Sequence, residues 1–210
     1  MTAHDETVFL LDDEPGMLKA LTRLLKAEGF VVHAFTSAKS FLESYRPASP
    51  HCLVLDLAMP EVNGLELQER LTLSGVLVPI VFLTGHGDIP MSVRAMKAGA
   101  QDFLTKPVND AELLLAVRAA LQRSAEHHEV ISATAILQQR YSRLTPRECE
   151  VMAHVVKGHL NKQIAAALGI GEHTIKVHRA RVMEKMGVDS VADLVRAAER
   201  LVLVHPPPLK

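Results

Sequence analysis

Cysteine, long apolar runs and an export signal are scarce or missing in this sequence of 210 residues. The two cysteines, Cys52 and Cys149, are too few for a disulfide framework or a cysteine-based zinc site, which favours a reducing compartment. No run of about 18 apolar residues is present, and the first residues lack the basic and apolar regions of a signal peptide. The sequence therefore predicts a cytoplasmic protein that does not span a membrane.

Charged residues are unevenly distributed, although the net charge is only −1. Residues 1–124 contain 11 basic and 15 acidic residues, whereas residues 125–210 contain 12 basic and 9 acidic residues. The second part also holds seven of the eleven histidines. An acidic first part and a mildly basic second part suit a regulatory domain followed by one that meets a polyanion.

Short apolar runs alternate with amphipathic segments in residues 1–124. In the first amphipathic segment, Leu18, Leu21 and Leu25 repeat at helical spacing and Gly29 supplies a stop. Because parallel strands need long crossovers, five β-then-α units predict a doubly wound α/β domain with a five-stranded parallel sheet. The strands, all expected to be buried, are Val8–Leu11, Val31–Phe35, Leu53–Leu55, Ile80–Leu83 and Phe103–Leu104.

Helical patterns dominate the rest of the chain. Residues 108–145 contain neither glycine nor proline, which predicts a stiff helical linker over residues 125–143, with His127-His128 as the place for a break. Beyond it, residues 144–210 predict an all-α domain of four helices.

Capping signals delimit the helices of this second domain. Thr145-Pro146-Arg147-Glu148 is a capping box, and Gly158 ends the helix that it opens. Asn161 is expected to cap a short helix that ends at Leu168, followed by a tight turn and a longer helix over Glu172–Met186. Two helices of these lengths, joined by a short turn with glycine, predict a helix-turn-helix.

The chemically versatile residues of the first domain follow the ends of the predicted strands. Asp12 and Asp13 follow the first strand, Asp56 the third, Thr84 the fourth and Lys106 the fifth. Because the carboxyl ends of parallel strands share one edge of an open sheet, these side chains should converge. Each aspartate alone is equally compatible with capping a helix, but their combination with Thr84 and Lys106 favours a site.

Three carboxylates at one edge would repel one another by roughly 4 kcal/mol per pair at about 4 Å and an effective dielectric of about 20. Mg²⁺ would relieve this repulsion, since it prefers carboxylate oxygens, waters and phosphate oxygens. One carboxylate could then attack phosphorus while Lys106 and the Thr84 hydroxyl hold the phosphoryl oxygens. The pattern predicts phosphoryl transfer to an aspartate.

The motifs around these residues resemble the receiver domain of two-component response regulators, which has a flavodoxin-like (CheY-like) fold, and most closely the FixJ and StyR/TodT subgroup. The resemblance implies that Asp56 is the phosphoacceptor and that Asp13, Asp56 and the Ala58 carbonyl bind Mg²⁺. Asp12 would assist through water. The matching segments are Leu11-Asp12-Asp13, Leu55–Pro60 with Gly64, Thr84–Asp88 and Lys97–Pro107.

Phe103 and His86 each have two interpretations. By the resemblance, Thr84 and Phe103 form a switch pair, in which the ring turns inward when Thr84 moves toward the phosphoryl group. A phenylalanine at the start of a buried strand is otherwise simply part of the core. His86 either tunes the lifetime of the phosphoryl group or is an inert loop residue.

The second helix of the predicted helix-turn-helix has distinct inner and outer faces. At about 100° per residue, Ile175, Val182 and Met186 face inward. Lysine or arginine on the outer face could read guanine, and valine or alanine could touch a thymine methyl group. Lys162 and Thr174, at the helix starts, suit phosphate contacts. The outer face and its flank carry Val177, Ala180, Arg181, Glu184 and Lys176.

This region also resembles the NarL/LuxR/FixJ DNA-binding domain, through Leu144–Glu148, Gly158, Asn161–Ala165 and Thr174–His178, with Gln163 where the broader family more often has glutamate. The alternative for its basic run is an ordinary solvated helix face, which Glu184 slightly favours. The resemblance assigns DNA contacts to Lys162, Thr174, Lys176, Val177, Arg179 and Ala180, and the basic run adds Arg181 and Lys185.

As a whole, the resemblance implies a receiver domain at residues 1–124, the linker, and a DNA-binding domain at residues 144–210. The expected partners are a sensor histidine kinase, promoter DNA, RNA polymerase and a second copy of the chain after phosphorylation, with activated transcription as the outcome. Beyond phosphoryl transfer to its own Asp56 and slow hydrolysis there, no enzyme activity is expected.

Two other classes of function remain open. A phosphatase of the haloacid-dehalogenase type also uses an aspartate after a strand, but it needs a second aspartate two residues later, where this chain has Ala58. Alternatively, the chain is a DNA-binding regulator whose receiver serves only as a phosphorylation-independent dimerisation module.

Overall fold

The computed structural model describes residues 6–46, 50–60, 62–85 and 89–204. The chain divides into two compact units, Met1–Glu129 and Val130–Lys210. Within the described residues, no helix is long and apolar enough to cross a membrane.

Within the described residues of the first unit, five parallel strands form one sheet in the order β2-β1-β3-β4-β5. This order, with a helix after each strand, confirms the predicted doubly wound fold. The strands are β1 (Thr7–Leu11), β2 (Val31–Phe35), β3 (His51–Asp56), β4 (Ile80–Thr84) and β5 (Asp102–Thr105). The helices that follow them are α1 (Pro15–Ala27), α2 (Ala38–Ser44), α3 (Gly64–Leu73), α4 (Ile89–Lys97) and α5 (Asp110–Tyr141).

The sheet separates two apolar layers. On one face, Val8 and Leu10 of β1 pack with residues of α1 and α5. On the other face, Phe9 and Leu11 pack with residues of α2, α3 and α4. Because helices cover both faces, the central strands β1, β3 and β4 are continuously apolar between their ends instead of alternating.

The prediction that all five strands are buried is wrong for β2 and β5. Every residue of β2 is exposed or half-buried, and β5 is half-buried except for the exposed Thr105. Both strands lie at the edges of the sheet. An edge strand is covered less completely than a central one, and apolar composition alone does not distinguish the two.

The helix α5 runs from Asp110 to Tyr141 without the break considered at His127-His128. It therefore contains most of the predicted linker. Within the first unit, the Ser124 hydroxyl accepts a hydrogen bond from the backbone N–H of His51 at 3.0 Å, which fastens the helix to the start of β3.

The second unit is helical, as predicted. Its core is built around the fully buried side chains of Val151, Ile164, Ile175, Val182 and Leu194. After residue 145 the structure describes α6 (Pro146–Val156), α7 (Asn161–Leu168), α8 (Glu172–Met186) and α9 (Val191–Val204).

The start of α7 differs from the prediction. Asn161 is the first residue of the helix and not its cap. The backbone N–H of Leu160, which precedes the helix, donates to Gln163 Oε1 at 2.8 Å. Gln163 thus satisfies a backbone N–H at the start of the helix, and the side chain of Asn161 makes no cap bond and binds another residue instead.

The capping box at the start of α6 is confirmed and extended by a buried ion pair. Glu148 Oε2 accepts the backbone N–H of Thr145 at 2.8 Å and the Lys185 ammonium at 2.6 Å. These bonds, led by that of Lys185, lower the pKa of Glu148 to about 2, although burial acts in the opposite direction. The ion pair ties the start of α6 to the last turn of α8.

We expect Glu148→Gln to lower the free energy of unfolding at neutral pH by about 1 kcal/mol, because it weakens the cap and removes the ion pair. A carboxyl whose pKa is lowered on folding stabilises the protein above its unfolded pKa, and this contribution is lost as the pH falls toward 2. The free energies of unfolding of the two proteins, measured in urea between about pH 2 and pH 7, should approach one another as the pH falls. The control is Glu150→Gln, which removes an exposed ion pair with Arg147 and should have little effect. A loss for Glu148→Gln that does not depend on pH would contradict this assignment.

A second prediction concerns Gly64, the first residue of α3. A Cβ atom at this position would lie 2.8 Å from the carbonyl oxygen of Asp56 and 2.9 Å from Phe82 Cε1. Gly64→Ala should therefore destabilise the protein by about 1–3 kcal/mol and shift the backbone at Asp56. Gly16→Ala is the control, since nothing lies within 4 Å of its added Cβ. Equal urea midpoints for the two variants would show that the site does not require a glycine.

Candidate functional site

Three aspartates meet at the carboxyl edge of the sheet. Asp12 follows β1, and Asp56 ends the neighbouring strand β3, which pairs with β1 through Leu11 and Leu55. One carboxylate oxygen from each of Asp12, Asp13 and Asp56 lies within 4.8 Å of the others. Asp12 and Asp56 are buried, whereas Asp13 is exposed, so the cluster opens to solvent on one side.

Lys106 lies between the two buried carboxylates. Its Nζ is 2.7 Å from Asp12 Oδ2 and 2.9 Å from Asp56 Oδ2. Burial lowers the pKa of Lys106, but the hydrogen bonds to Asp12 and Asp56 outweigh it, so that the pKa lies above its ordinary value. The lysine is therefore charged at neutral pH and offsets part of the repulsion between the carboxylates.

Backbone groups fix the second oxygen of each buried carboxylate. Asp12 Oδ1 accepts the N–H of Glu14 at 2.8 Å, and Asp56 Oδ1 accepts the N–H of Ala58 at 3.2 Å. Ala58 is exposed in the loop after β3, beside the phosphoacceptor candidate. Both aspartates are thus oriented by their own loops, and both remain able to bind a further ligand.

The donor set fits a hard divalent cation. Three carboxylates carry a charge of −3 and Lys106 contributes +1, which leaves −2 at the cluster. Oxygen donors with this charge, open to solvent at Asp13, match the preference of Mg²⁺ for a few carboxylates together with waters and phosphate oxygens.

Thr84 lies at the same edge. It is the last residue of β4, it is 3 % exposed, and its carbonyl accepts the backbone N–H of Lys106 at 2.6 Å. Phe103 is half-buried and packs on the face of the sheet covered by α2, α3 and α4, with its ring 6.3 Å from that of Phe82. Both interpretations of Phe103 fit this position. His86 lies outside the described residues.

The outer face of α8 agrees with the helical-wheel prediction. Ile175, Val182 and Met186 are completely buried. The residues expected to point outward or to lie on the flank are exposed, and so are the two residues expected to contact phosphates: Val177, Ala180, Arg181, Glu184, Lys176, Lys162 and Thr174.

Two basic residues predicted to bind DNA have partners within the domain. The Lys185 ammonium binds Glu148 and also donates to the carbonyl of Arg143 at 3.2 Å, which removes it from the outward-facing set. Arg179 is half-buried, and its Nη1 donates to Asn161 Oδ1 at 3.0 Å. Helical spacing did not include Arg179 among the residues of the outer face, but no sequence signal indicated the partner of either residue.

Gln68 is a buried residue that the sequence patterns did not indicate. It is 3 % exposed, and its Nε2 donates to the carbonyls of Ala95 and Ala98 at 3.4 and 3.2 Å. It therefore links α3, which follows the Asp56 loop, to the end of α4. A glutamine on an amphipathic helix gives no sign of such a contact.

Comparison with known proteins covers both units. The family of response regulator receiver domains matches residues 8–118, and the bacterial regulatory proteins of the luxR family match residues 142–198. Response regulator protein TodT of Pseudomonas putida is 44 % identical over 201 residues, which cover 96 % of this chain and 88 % of TodT.

Two further relatives agree with this result. Nodulation protein W of Bradyrhizobium diazoefficiens is 47 % identical over 194 residues, which cover 92 % of this chain and 86 % of that protein. The solved structure of the response regulator StyR is similar with a TM-score of 0.86 and 47 % identity, covering 93 % of this chain and 99 % of StyR. The carboxylate cluster, the helix-turn-helix and these similarities together show that the chain belongs to the two-component response regulators of the FixJ, StyR and TodT subgroup, which join a receiver domain to a luxR-type DNA-binding domain.

Proposed function

We propose that Asp56 accepts a phosphoryl group from the phosphohistidine of a sensor kinase, and that this modification promotes dimerisation and binding to promoter DNA. The observation that carries the proposal is the pairing of Lys106 with both Asp12 and Asp56 inside a cluster of three carboxylates. The proposed domains are the receiver (residues 1–124), the linker (125–143) and the DNA-binding domain (144–210).

In the proposed transfer, a carboxylate oxygen of Asp56 attacks phosphorus, and the phosphorus–nitrogen bond to the kinase histidine breaks as the new phosphorus–oxygen bond forms. Asp12, Asp13, Asp56 and the Ala58 carbonyl would hold Mg²⁺, which neutralises the charge on the phosphoryl oxygens. Lys106 exchanges its contact with Asp56 for one with a phosphoryl oxygen, and the Thr84 hydroxyl binds another.

The movement of Thr84 and Lys106 toward the phosphoryl group changes the packing at the end of the sheet. Phe103, on the strand next to β4, is the proposed responder of the switch pair. The change reaches the surface of α4, β5 and α5, where it favours a symmetric dimer. A dimer presents two recognition helices to the two half-sites of a promoter. The promoter can then be occupied even though each half-site alone is bound weakly.

The outcome of the switch is regulated transcription. The outer face of α8 would read the major groove, and RNA polymerase is the proposed further partner at an activated promoter. Since the DNA partner lies in the bacterial cytoplasm, we place the protein there as well. The two matching families support a regulator. The sequence disfavours a phosphatase of the haloacid-dehalogenase type, because Ala58 occupies the position where that class needs its second aspartate.

The first test is incubation with acetyl phosphate and Mg²⁺, followed by intact-mass measurement and sedimentation. The wild type should gain one phosphoryl group and shift toward a dimer, whereas Asp56→Asn should do neither, because the amide is not a competent nucleophile. A wild type that stays unmodified would contradict the proposal. A dimer that forms equally in both proteins would support a phosphorylation-independent dimerisation module instead.

The second test is the affinity for Mg²⁺, measured by calorimetry. Asp13 is exposed, so Asp13→Asn should leave stability unchanged while weakening Mg²⁺ binding about tenfold or more. Asp110→Asn removes an exposed carboxylate at the start of α5 and serves as the control. Equal Mg²⁺ affinities for the two variants would show that Asp13 is not a ligand.

A further inference from the structure

Arg179 differs in direction from Lys176 and Arg181, the exposed basic residues of α8. It lies four residues after the buried Ile175, about 40° around the helix from it, whereas Val177 and Glu184 lie on the opposite, outer side. Its half-buried side chain reaches the first residue of α7, where Nη1 donates to Asn161 Oδ1 at 3.0 Å. The guanidinium is therefore held beside the start of the first helix of the helix-turn-helix, and not on the face that would enter the groove.

The hydrogen bond to Asn161 does not neutralise the positive charge of Arg179. Three other cations of this unit, Arg147, Lys185 and Arg196, are each paired with a carboxylate. Among the described residues, no carboxylate oxygen lies within the 4.0 Å ion-pair distance of Arg179. A neutral amide orients a guanidinium without neutralising it, and one such bond leaves the other N–H donors of the fork available.

The position of this charge matches a particular part of DNA. In a helix-turn-helix the second helix enters the major groove, while the first helix crosses the sugar-phosphate backbone. The exposed Lys162 follows Asn161 in the first turn of α7, so this helix start carries a second basic residue besides the bound Arg179. Two positive charges at the start of a helix favour a phosphate group over a base edge.

On this basis, and resting on the proposed binding of DNA by α8, we propose that Arg179 contacts a backbone phosphate and that Asn161 is the residue that positions it. Lys176, Val177 and Ala180 are then left as the residues that meet base edges. The residues of α8 would then have two roles. Arg179 supplies affinity for DNA of any sequence, and its neighbours supply the preference for one DNA sequence over another.

The test uses the full-length protein, treated with acetyl phosphate and Mg²⁺, and a short duplex that the wild type enriches from a random-sequence pool. Dissociation constants for this duplex and for a scrambled duplex are measured between about 50 and 200 mM salt. The variants are Arg179→Gln, the charge-conserving Arg179→Lys and, as a base-facing comparison, Lys176→Gln. Thermal unfolding checks that each variant is folded.

We expect Arg179→Gln to weaken binding about tenfold on the enriched and the scrambled duplex alike. It should also reduce the slope of log K against log salt by about 0.9 for each phosphate that a protomer no longer neutralises. Arg179→Lys should keep a salt slope close to that of the wild type, because the positive charge is kept. Lys176→Gln should instead lower the preference for the enriched duplex over the scrambled one.

Asn161→Ala tests the positioning role. It keeps the arginine, so it should weaken binding less than Arg179→Gln does, and it should have no further effect when Arg179 is already glutamine. Independent, additive reductions in affinity would show that Asn161 does not act through Arg179.

The outcomes separate this proposal from the proposed function. If the wild type enriches no duplex, DNA binding itself fails. If Arg179→Gln changes the preferred base at a position of the site while the salt slope is unchanged, Arg179 reads a base and the proposal is overturned. If Arg179→Gln changes neither affinity nor slope, the bond to Asn161 is structural only, and the proposal is overturned as well.

Discussion

Crowding of negative charge at the end of β1 and β3 is the constraint on which the functional design depends. Asp12 and Asp56 are buried side by side, a position that would be strongly unfavourable for two carboxylates without a cation. Lys106, which follows the last strand of the sheet, forms an ion pair shorter than 3 Å with each of these carboxylates. In the proposed transfer this balance would change, because the oxygens of the phosphoryl group would compete with Asp56 for the Lys106 ammonium. Because Lys106 holds Asp12 and Asp56 together in the unmodified protein, charge added at Asp56 would change the contacts that hold the site.

Most of the fold could be predicted because its signals are local. Apolar runs of strand length, glycine stops and the capping box at Thr145 are read directly from neighbouring residues, and the end of α7 and the bounds of α8 follow from them. The convergence of Asp12, Asp56 and Lys106 was also predictable, since parallel strands present their carboxyl ends at one edge. Strand order was not used in the prediction, and so the exposure of β2 and β5 at the edges of the sheet was missed.

The remaining details depend on contacts between residues distant in the sequence. Lys185 belongs to a basic run, but its ammonium is bound by Glu148, 37 positions earlier, and periodicity cannot reveal such a partner. The pairing of Arg179 with Asn161 is of the same kind. The cations on a helix surface therefore have to be distinguished by what each one contacts. A cation paired with a carboxylate has its charge offset, whereas a cation without such a partner keeps its charge and is available to DNA.

The measurement that tests the central claim most directly is the affinity of the full-length protein for an enriched DNA duplex, before and after treatment with acetyl phosphate and Mg²⁺. If the charge added at Asp56 is coupled to the DNA-binding domain, the treated wild type should bind more tightly, and removal of Mg²⁺ during treatment should abolish the gain. A phosphorylated protein that binds the duplex with the same affinity as the untreated one would contradict the coupling between the two domains.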